Sequence, residues 1–534
     1  MWRLLQGYLS ELLSFLKDDS TVLGFSIMGE NDPNLGPDWV NMVYDFVKSK
    51  APRHLVVLEQ GGDLLRCPGG DPSSLRVYKP ASDGGVGYRT YSTHGLKTDL
   101  VFAVNARFYA MARPSYLGEV CSGPGWEGTF IYANPDFITK LRDNMWISFL
   151  LQQPMALSWS AVLVEAERRI PTKIARSINW NKVRRAKAPV AVVVERPNLE
   201  QLRRLVLYEE ALSSIPVDCD YIRPSDPKDG YLAVFDARRP FVRPELGRNI
   251  PPEVERLLPL RVSKGNHTTY LLSGDRSLLV AYVRNAVHYR LGPGHGHGVL
   301  ELHRRRTKPR EVRIELKNFP FPMAFTVYDL DRKAPVLEGA FLGSRRVDLG
   351  RTKSDFALFV RRIRSLPQRA FVEGVPYIPQ THPNTCGASA LAMALRWAGI
   401  DISEGDIVKT YPKIKRTGFY IPWLWEFSGR LGLKTEHGQG HERIVKWWLC
   451  KGRPVIVFQF SDLKRRRPHF RVVIGYDEEK EHFIVHDPAP QLGPNYAIPY
   501  ALFERLWKLP FYQDKRGERR RFYFVVIERK PGRE

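Results

Sequence analysis

Residues 375–395 read VPYIPQTHPNTCGASALAMAL, and this segment is the most informative one for the fold of the last third of the chain. The residues that follow Cys386 are mostly strong helix formers, and Asn384 or Thr385 can serve as the N-cap. Gly399 is placed to end the predicted helix. Cys386 therefore lies in the first turn, where unpaired backbone N–H groups and the helix dipole stabilise a thiolate. Because only the thiolate is a good nucleophile, Cys386 is the candidate nucleophile.

Three later apolar runs predict neighbouring antiparallel strands, and they span residues 454–460, 468–476 and 482–487. His469 opens the second run and Asp487 ends the third, so a hairpin would bring both to the same end of the sheet. We expect the imidazole of His469 to take the thiol proton while Asp487 fixes its tautomer.

Gln380 lies six residues before Cys386 on an extended, proline-flanked segment. From there its side-chain amide can turn back toward the cysteine. We expect this amide and the backbone N–H of Cys386 to form an oxyanion hole for a tetrahedral intermediate.

These motifs carry a family resemblance. The pattern Gln-x5-Cys-Gly-Ala-Ser-Ala, a strand that begins His-Phe-x-Val-Val-x-Gly and a closing Asp-Pro resemble the bacteriocin-processing peptidases that remove double-glycine leaders. The resemblance covers residues 371–510 and implies a papain-like α+β fold that cleaves a peptide or related amide bond. It also implies catalytic roles for Cys386, His469, Asp487 and Gln380.

Residues 1–165 alternate helices with short apolar strands, which predicts a parallel sheet with right-handed crossovers. One of the predicted strands is 100–103. Glu30, Glu119 and Trp159 lie at strand tips, where an α/β barrel keeps its active site. Two carboxylates about 5 Å apart can cleave a glycosidic bond with retention, and Trp159 can stack on a sugar ring.

This segment resembles the retaining glycoside hydrolases of the two-glutamate (β/α)8 group. The resemblance implies that Glu30 is the acid/base and Glu119 the nucleophile. It also implies that the chain begins just before the fourth barrel strand, so we expect a partial (β/α)8 barrel. Its first three strands would then be encoded upstream, be lost in a remnant, or come from another chain. Glu30 and Glu119 could instead be solvated loop acids.

The sequence predicts two further domains in the middle of the chain. Residues 166–187 form a basic connector, and residues 188–245 predict a small α/β domain. Residues 255–365 are rich in short alternating runs, which predict an antiparallel β-sandwich. The expected fold class is therefore multidomain α/β and β: a partial barrel, a small α/β domain, a sandwich and a papain-like domain.

The net charge of +24 and the pI near 9.8 favour an acidic partner or, alternatively, basic residues spread over solvated faces. The densest basic runs are 168–187 and 464–467, and Trp180 is the one aromatic residue in either, so we expect no nucleic-acid partner. The five cysteines have no metal or disulfide spacing, and His295 with His297 offers only two ligands. We expect no metal and no cofactor.

Three functions remain open. The first is a multidomain hydrolase whose papain-like cysteine peptidase domain cleaves a peptide or protein. The second is a truncated retaining glycoside hydrolase with an accessory cysteine peptidase-like domain, and the third is a non-catalytic peptide- or carbohydrate-binding protein. We expect no membrane span and find no signal peptide in the chain as given, although an extracytoplasmic location stays open if the sequence continues upstream.

Overall fold

The chain folds into two compact units. Unit 1 comprises Met1–Lys317, Val327–Val336 and Arg346–Phe359, and unit 2 comprises Asn318–Thr326, Leu337–Arg345 and Val360–Glu534. The computed structural model describes residues 2–18, 24–26, 37–61, 86–90, 99–111, 115–121, 135–152, 155–158, 161–195, 199–285, 287–293, 300–508, 512–513, 519–520 and 522–528.

The first part of unit 1 alternates helices and strands. Its elements are α1 (Trp2–Leu16), β1 (Gly24–Ser26), α2 (Pro37–Lys50), β2 (Leu55–Gly61), β3 (Val86–Thr90), α3 (Asp99–Ala110), β4 (Ser115–Cys121), α4 (Pro135–Leu150), β5 (Met155–Ser158) and α5 (Ala161–Arg176). Strands β1 to β5 pair in parallel and in chain order. This consecutive order is the one found in barrels, whereas doubly wound sheets reverse their order.

The strand predicted at residues 100–103 is wrong, because these residues form the first turn of α3. Leu100, Val104 and Phe108 pack into one core cluster, and Ala103 and Ala106 pack into another. A spacing of four residues is helical, and a short apolar run alone does not distinguish a buried helix from a strand. Strand β3 was not predicted.

The segment of residues 177–362, most of which belongs to unit 1, contains a three-stranded parallel sheet followed by antiparallel strands. Its elements are a 3-10 turn (Trp180–Lys182), β6 (Val190–Val193), α6 (Leu199–Ser214), β7 (Cys219–Ile222), β8 (Ala233–Asp236), α7 (Pro252–Leu257), β9 (Leu260–Val262), β10 (His267–Leu272), β11 (Leu278–Arg284), β12 (Val287–Pro293), β13 (Leu300–Arg306), β14 (Arg310–Asp329), β15 (Ala334–Thr352) and β16 (Phe356–Arg362). Strand β6 lies between β7 and β8. The region predicted as a sandwich forms a six-stranded sheet and a separate β12–β13 hairpin.

Unit 2 is built around one seven-stranded sheet. Its elements are β17 (Arg369–Phe371), α8 (Cys386–Trp397), α9 (Glu404–Thr410), α10 (Ile414–Thr417), α11 (Trp423–Arg430), β18 (Thr435–Gln439), α12 (Glu442–Cys450), β19 (Val455–Phe460), β20 (Pro468–Asp477), β21 (His482–His486), β22 (Tyr496–Pro499), α13 (Tyr500–Lys508), β23 (Tyr512–Gln513), β24 (Arg519–Arg520) and β25 (Tyr523–Ile527). The strand order is β18-β25-β19-β20-β21-β22, with β17 on β20. The predicted antiparallel pairing of β19, β20 and β21 is confirmed.

Helix α8 is the central helix of unit 2. Every residue of α8 except Arg396 is buried, which suits its alanine-rich, apolar sequence. Leu391, Met393 and Leu395 are fully buried, and each such side chain contributes about 1.5–3 kcal/mol of transfer free energy. The cysteine at the start of α8 is therefore held on a rigid element.

Among the described residues, every helix is too short or too polar to span a bilayer. The same residues contain no group of three or more His, Cys, Asp or Glu side chains arranged to hold a metal ion.

Candidate active site

Cys386 is the first residue of α8 and is 6% exposed. Thr385 takes the N-cap position, but its side chain does not cap the helix. Its hydroxyl instead donates to the carbonyl of His382 at 2.8 Å. Thr385 therefore leaves the first-turn N–H groups uncapped, and the positive end of the helix dipole lies at Cys386.

The residue after the cysteine must be glycine. A Cβ on Gly387 would lie 2.7 Å from Cδ1 of Phe419, and closer still to its Cβ and Cγ. The Phe419 ring also packs edge-on against Phe470, with ring centroids 5.8 Å apart. Since Phe470 follows His469 in β20, this ring joins the start of the cysteine helix to the histidine strand.

His469 lies in β20 opposite Gln459 of β19 and is 6% exposed. Its Nε2 donates to Oδ1 of Asp487 at 2.7 Å, which leaves Nδ1 as the second ring nitrogen. Burial alone would lower the pKa of His469, but hydrogen bonding to Asp487 and to Cys386 raises it to about 9. Both neighbours therefore favour the protonated imidazole.

Asp487 directly follows β21 and is 0% exposed. Its Oδ1 accepts from His469 and from the backbone N–H of Ala489 at 2.8 Å. Its Oδ2 accepts from Nε of Arg471 at 2.7 Å. Burial opposes ionisation, but the hydrogen bond and charge of His469 and the charge of Arg471 lower the pKa of Asp487. The carboxylate is thus charged and fixed in orientation.

Arg471 is the residue of this site that sequence reasoning missed. It is 1% exposed, and its guanidinium also donates to Oε1 of Gln459 at 3.1 Å. Further bonds reach the carbonyls of Phe460 at 2.9 Å and Ser461 at 2.8 Å. Successive side chains of a strand alternate between faces, so Arg471 shares a face with His469, and this alternation could have identified it.

Gln380 lies beside the end of β21. Its backbone N–H donates to the carbonyl of Pro488 at 2.8 Å. Its amide Nε2 donates to the carbonyl of His382 at 3.1 Å, and Oε1 is buried without a protein partner in the described part of the domain. The structure therefore anchors Gln380 next to Asp487, with its amide hydrogen-bonded to the loop that precedes Cys386.

The structure describes only one of the three predicted glycosidase residues. The backbone of Glu119 lies in β4, on the parallel sheet of unit 1. Glu30 and Trp159 lie outside the described residues, as do His295 and His297. The glutamate pair therefore stays a prediction.

The C-terminal domain has relatives among known proteins. Residues 372–514 match the Peptidase_C39 like family. This domain is similar in structure to the peptidase domain of Streptococcus ComA, a bifunctional ABC transporter involved in quorum sensing. That match has 18% identity and a TM-score of 0.23, and covers 29% of this chain and 100% of that one. The sequence resemblance to this peptidase family is confirmed.

The N-terminal part is similar to GH42 β-galactosidases, as its sequence resemblance indicates. The enzyme from Bacillus circulans sp. alkalophilus has 11% identity and a TM-score of 0.31, and the match covers 60% of this chain and 66% of that one. A catalytic mutant of Gan42B from G. stearothermophilus has 9% identity and a TM-score of 0.27, with 66% and 73% covered. No curated protein matches the chain.

Proposed function

We propose that residues 372–514 form a cysteine peptidase that cleaves a peptide or related amide bond, with Cys386 as its nucleophile. The observation that carries this proposal is the buried hydrogen bond from His469 to Asp487, together with the raised pKa of His469, to which Cys386 contributes. A thiol at a helix start, an imidazole and a buried carboxylate in this order are the parts of an activated nucleophile. The C39-like family of the domain supports the same reaction class.

The first step is proton transfer from the thiol. Because Nε2 of His469 carries the proton that it donates to Asp487, Nδ1 holds the lone pair that accepts the proton of Cys386. The pKa of His469, raised to about 9, keeps the resulting imidazolium protonated near neutral pH. The helix dipole and this imidazolium then stabilise the thiolate.

The second step is attack of the thiolate on the scissile carbonyl carbon. The negative oxygen of the tetrahedral intermediate accepts hydrogen bonds from the Cys386 N–H and from the Gln380 amide, whose NH2 group has a second proton beside the one given to His382. The imidazolium of His469 protonates the leaving amine. Water then hydrolyses the thioester, with His469 acting as the base.

A cleavage assay with two cysteine variants tests this proposal. Cys450 lies in the same unit and has a partner outside the site, since its Sγ is 3.2 Å from the hydroxyl of Tyr476. We expect Cys386→Ala to abolish cleavage of a defined peptide mixture, followed by mass spectrometry, while Cys450→Ala retains it. Equal cleavage by both variants would exclude Cys386 as the nucleophile, and no cleavage by the unsubstituted chain would favour a non-catalytic peptide-binding role.

A glycosidase activity of unit 1 is the second candidate. It is favoured by the parallel, consecutive order of β1 to β5, with Glu119 in β4. This order suits a partial (β/α)8 barrel, in which Glu30 would act as acid/base, Glu119 as nucleophile and Trp159 as a sugar platform. Hydrolysis of an aryl β-galactoside that Glu119→Gln abolishes would support this candidate, and its persistence in that variant would reject it.

A further inference from the structure

The turn between β19 and β20, residues 461–467, is strongly basic, and we call it the cationic turn. Lys464, Arg465, Arg466 and Arg467 are consecutive and exposed, and Asp462 is the one carboxylate of the turn, which leaves a net charge of +3. In the β19–β20 register Phe460 pairs with Pro468 and Gln459 with His469. Arg467 is two residues from His469, which is at most about 7 Å along an extended strand.

The cationic turn has an ordered backbone. The N–H of Ser461 donates to the carbonyl of Arg467 at 2.8 Å, which closes the turn. Oδ1 of Asp462 accepts from the N–H groups of Lys464 at 2.9 Å and Arg465 at 2.5 Å. Because the backbone is already ordered, less conformational entropy is lost when its side chains bind a partner.

The same buried arginine fixes both the turn and the catalytic carboxylate. Arg471 donates to the carbonyls of Phe460 and Ser461, where the turn begins. Through Nε it also donates to Asp487. The cationic turn is therefore held at a defined position relative to His469 and Asp487.

The charges of the turn are available to a partner. Among the described residues, none of its four cations makes an ion pair with a carboxylate within 4.0 Å. A second group of exposed cations lies beside the loop that precedes Cys386, on or next to α10: Lys413, Lys415 and Arg416. Nδ2 of Asn384 donates to the carbonyl of Lys415 at 2.8 Å, which places α10 next to that loop. Basic residues thus lie near both halves of the site.

We infer that the domain takes acidic peptides, whose aspartate and glutamate side chains bind the cationic turn and the cations of α10 on either side of the scissile bond. That acidic peptides are cleaved rests on the proposed peptidase function. That they bind does not. A single exposed ion pair contributes little, whereas several aligned charges steer and hold an oppositely charged partner.

A binding experiment on the catalytically inert Cys386→Ala chain separates this inference from the peptidase proposal. The probes are a fluorescein-labelled peptide with four glutamates and its matched peptide with four glutamines, followed by anisotropy. The test variant is Lys464→Gln/Arg465→Gln/Arg467→Gln, which spares Arg466 because its φ is +52°. The matched control, Lys434→Gln/Lys480→Gln/Lys508→Gln, removes the same charge from exposed sites elsewhere in the unit.

We expect the glutamate peptide to bind more tightly than the glutamine peptide. The test variant should lower the affinity for the glutamate peptide about five- to ten-fold. The control variant should change that affinity less than two-fold. Equal affinity for the two peptides, equal losses in both variants, or stronger binding of a single-stranded oligonucleotide at the same turn would overturn the inference. Selective peptide binding without any cleavage by the unsubstituted chain would reject the peptidase proposal and leave this inference standing.

Discussion

Nε of Arg471 lies 2.7 Å from Oδ2 of Asp487, and both side chains are almost completely buried. Asp487 is thereby held between a cation on one oxygen and His469 on the other. The guanidinium hydrogen-bonds Asp487, Gln459 and two backbone carbonyls, so we assign it a positioning role. It keeps the carboxylate ionised and aimed at the imidazole.

Arg471→Met tests that role. Removing one partner of a buried ion pair leaves an uncompensated charge, so we expect the free energy of unfolding in urea to fall by about 3–5 kcal/mol. In any folded fraction the pKa of Asp487 should rise, because its lowering depends partly on Arg471. The acidic limb of the pH profile of kcat/KM should then move to higher pH. Arg471→Lys keeps the charge and should move that limb less; an unshifted limb in both variants would contradict the positioning role.

The pH dependence of stability tests the environment of His469. Its folded pKa of about 9 exceeds the ordinary value of 6.5, so its protonated form stabilises the fold. This contribution is fully present below pH 6.5 and is lost as the pH rises through about 9. Each unit of difference between the folded and unfolded pKa values corresponds to about 1.4 kcal/mol. The contribution of His469 to the free energy of unfolding is therefore on the order of 3 kcal/mol. Urea unfolding from pH 6 to 10 should show this loss in the wild type and not in His469→Gln.

Gly387→Ala tests the close approach of Phe419 to the start of α8. The added Cβ would overlap the Phe419 side chain, and overpacking of this kind costs about 1–3 kcal/mol. Phe419→Ala in the same chain should recover part of the loss, because it removes Cγ and Cδ1 although Cβ stays. A double-mutant cycle by urea unfolding measures this coupling, and strictly additive effects would show that the two residues do not meet.

Gln380→Ala tests the oxyanion hole. We expect kcat to fall by about 10²–10³ with KM almost unchanged, because the amide acts on the charge that develops in the transition state. The matched control is Gln459→Ala, which removes a buried amide that contacts Arg471 and the carbonyl of Phe503. The control should lower stability more than Gln380→Ala does. A rise in KM alone would assign Gln380 to substrate binding.

Much of the peptidase domain was predictable because its signals are local. A helix-forming run after Cys386 and apolar runs around His469 were enough to predict α8 and the pairing of β19, β20 and β21, while the catalytic roles of Cys386, His469 and Asp487 stay predictions. Arg471 was harder to find, since a charged residue inside a strand ordinarily predicts an exposed position and only tertiary contacts bury it. The segment at 100–103 was assigned to the wrong element because four consecutive apolar residues fit either a strand or a buried helix, and packing into two core clusters stabilises the helix.

The rate of alkylation at Cys386 tests whether His469 activates this thiol. Iodoacetamide reacts with thiolates, so peptide mapping at pH 7 should find Cys386 modified well before Cys450. In His469→Ala we expect the rate at Cys386 to fall by about a hundred-fold while the rate at Cys450 stays the same. Equal modification of both cysteines in the wild type, or a rate at Cys386 that does not change without His469, would contradict the account.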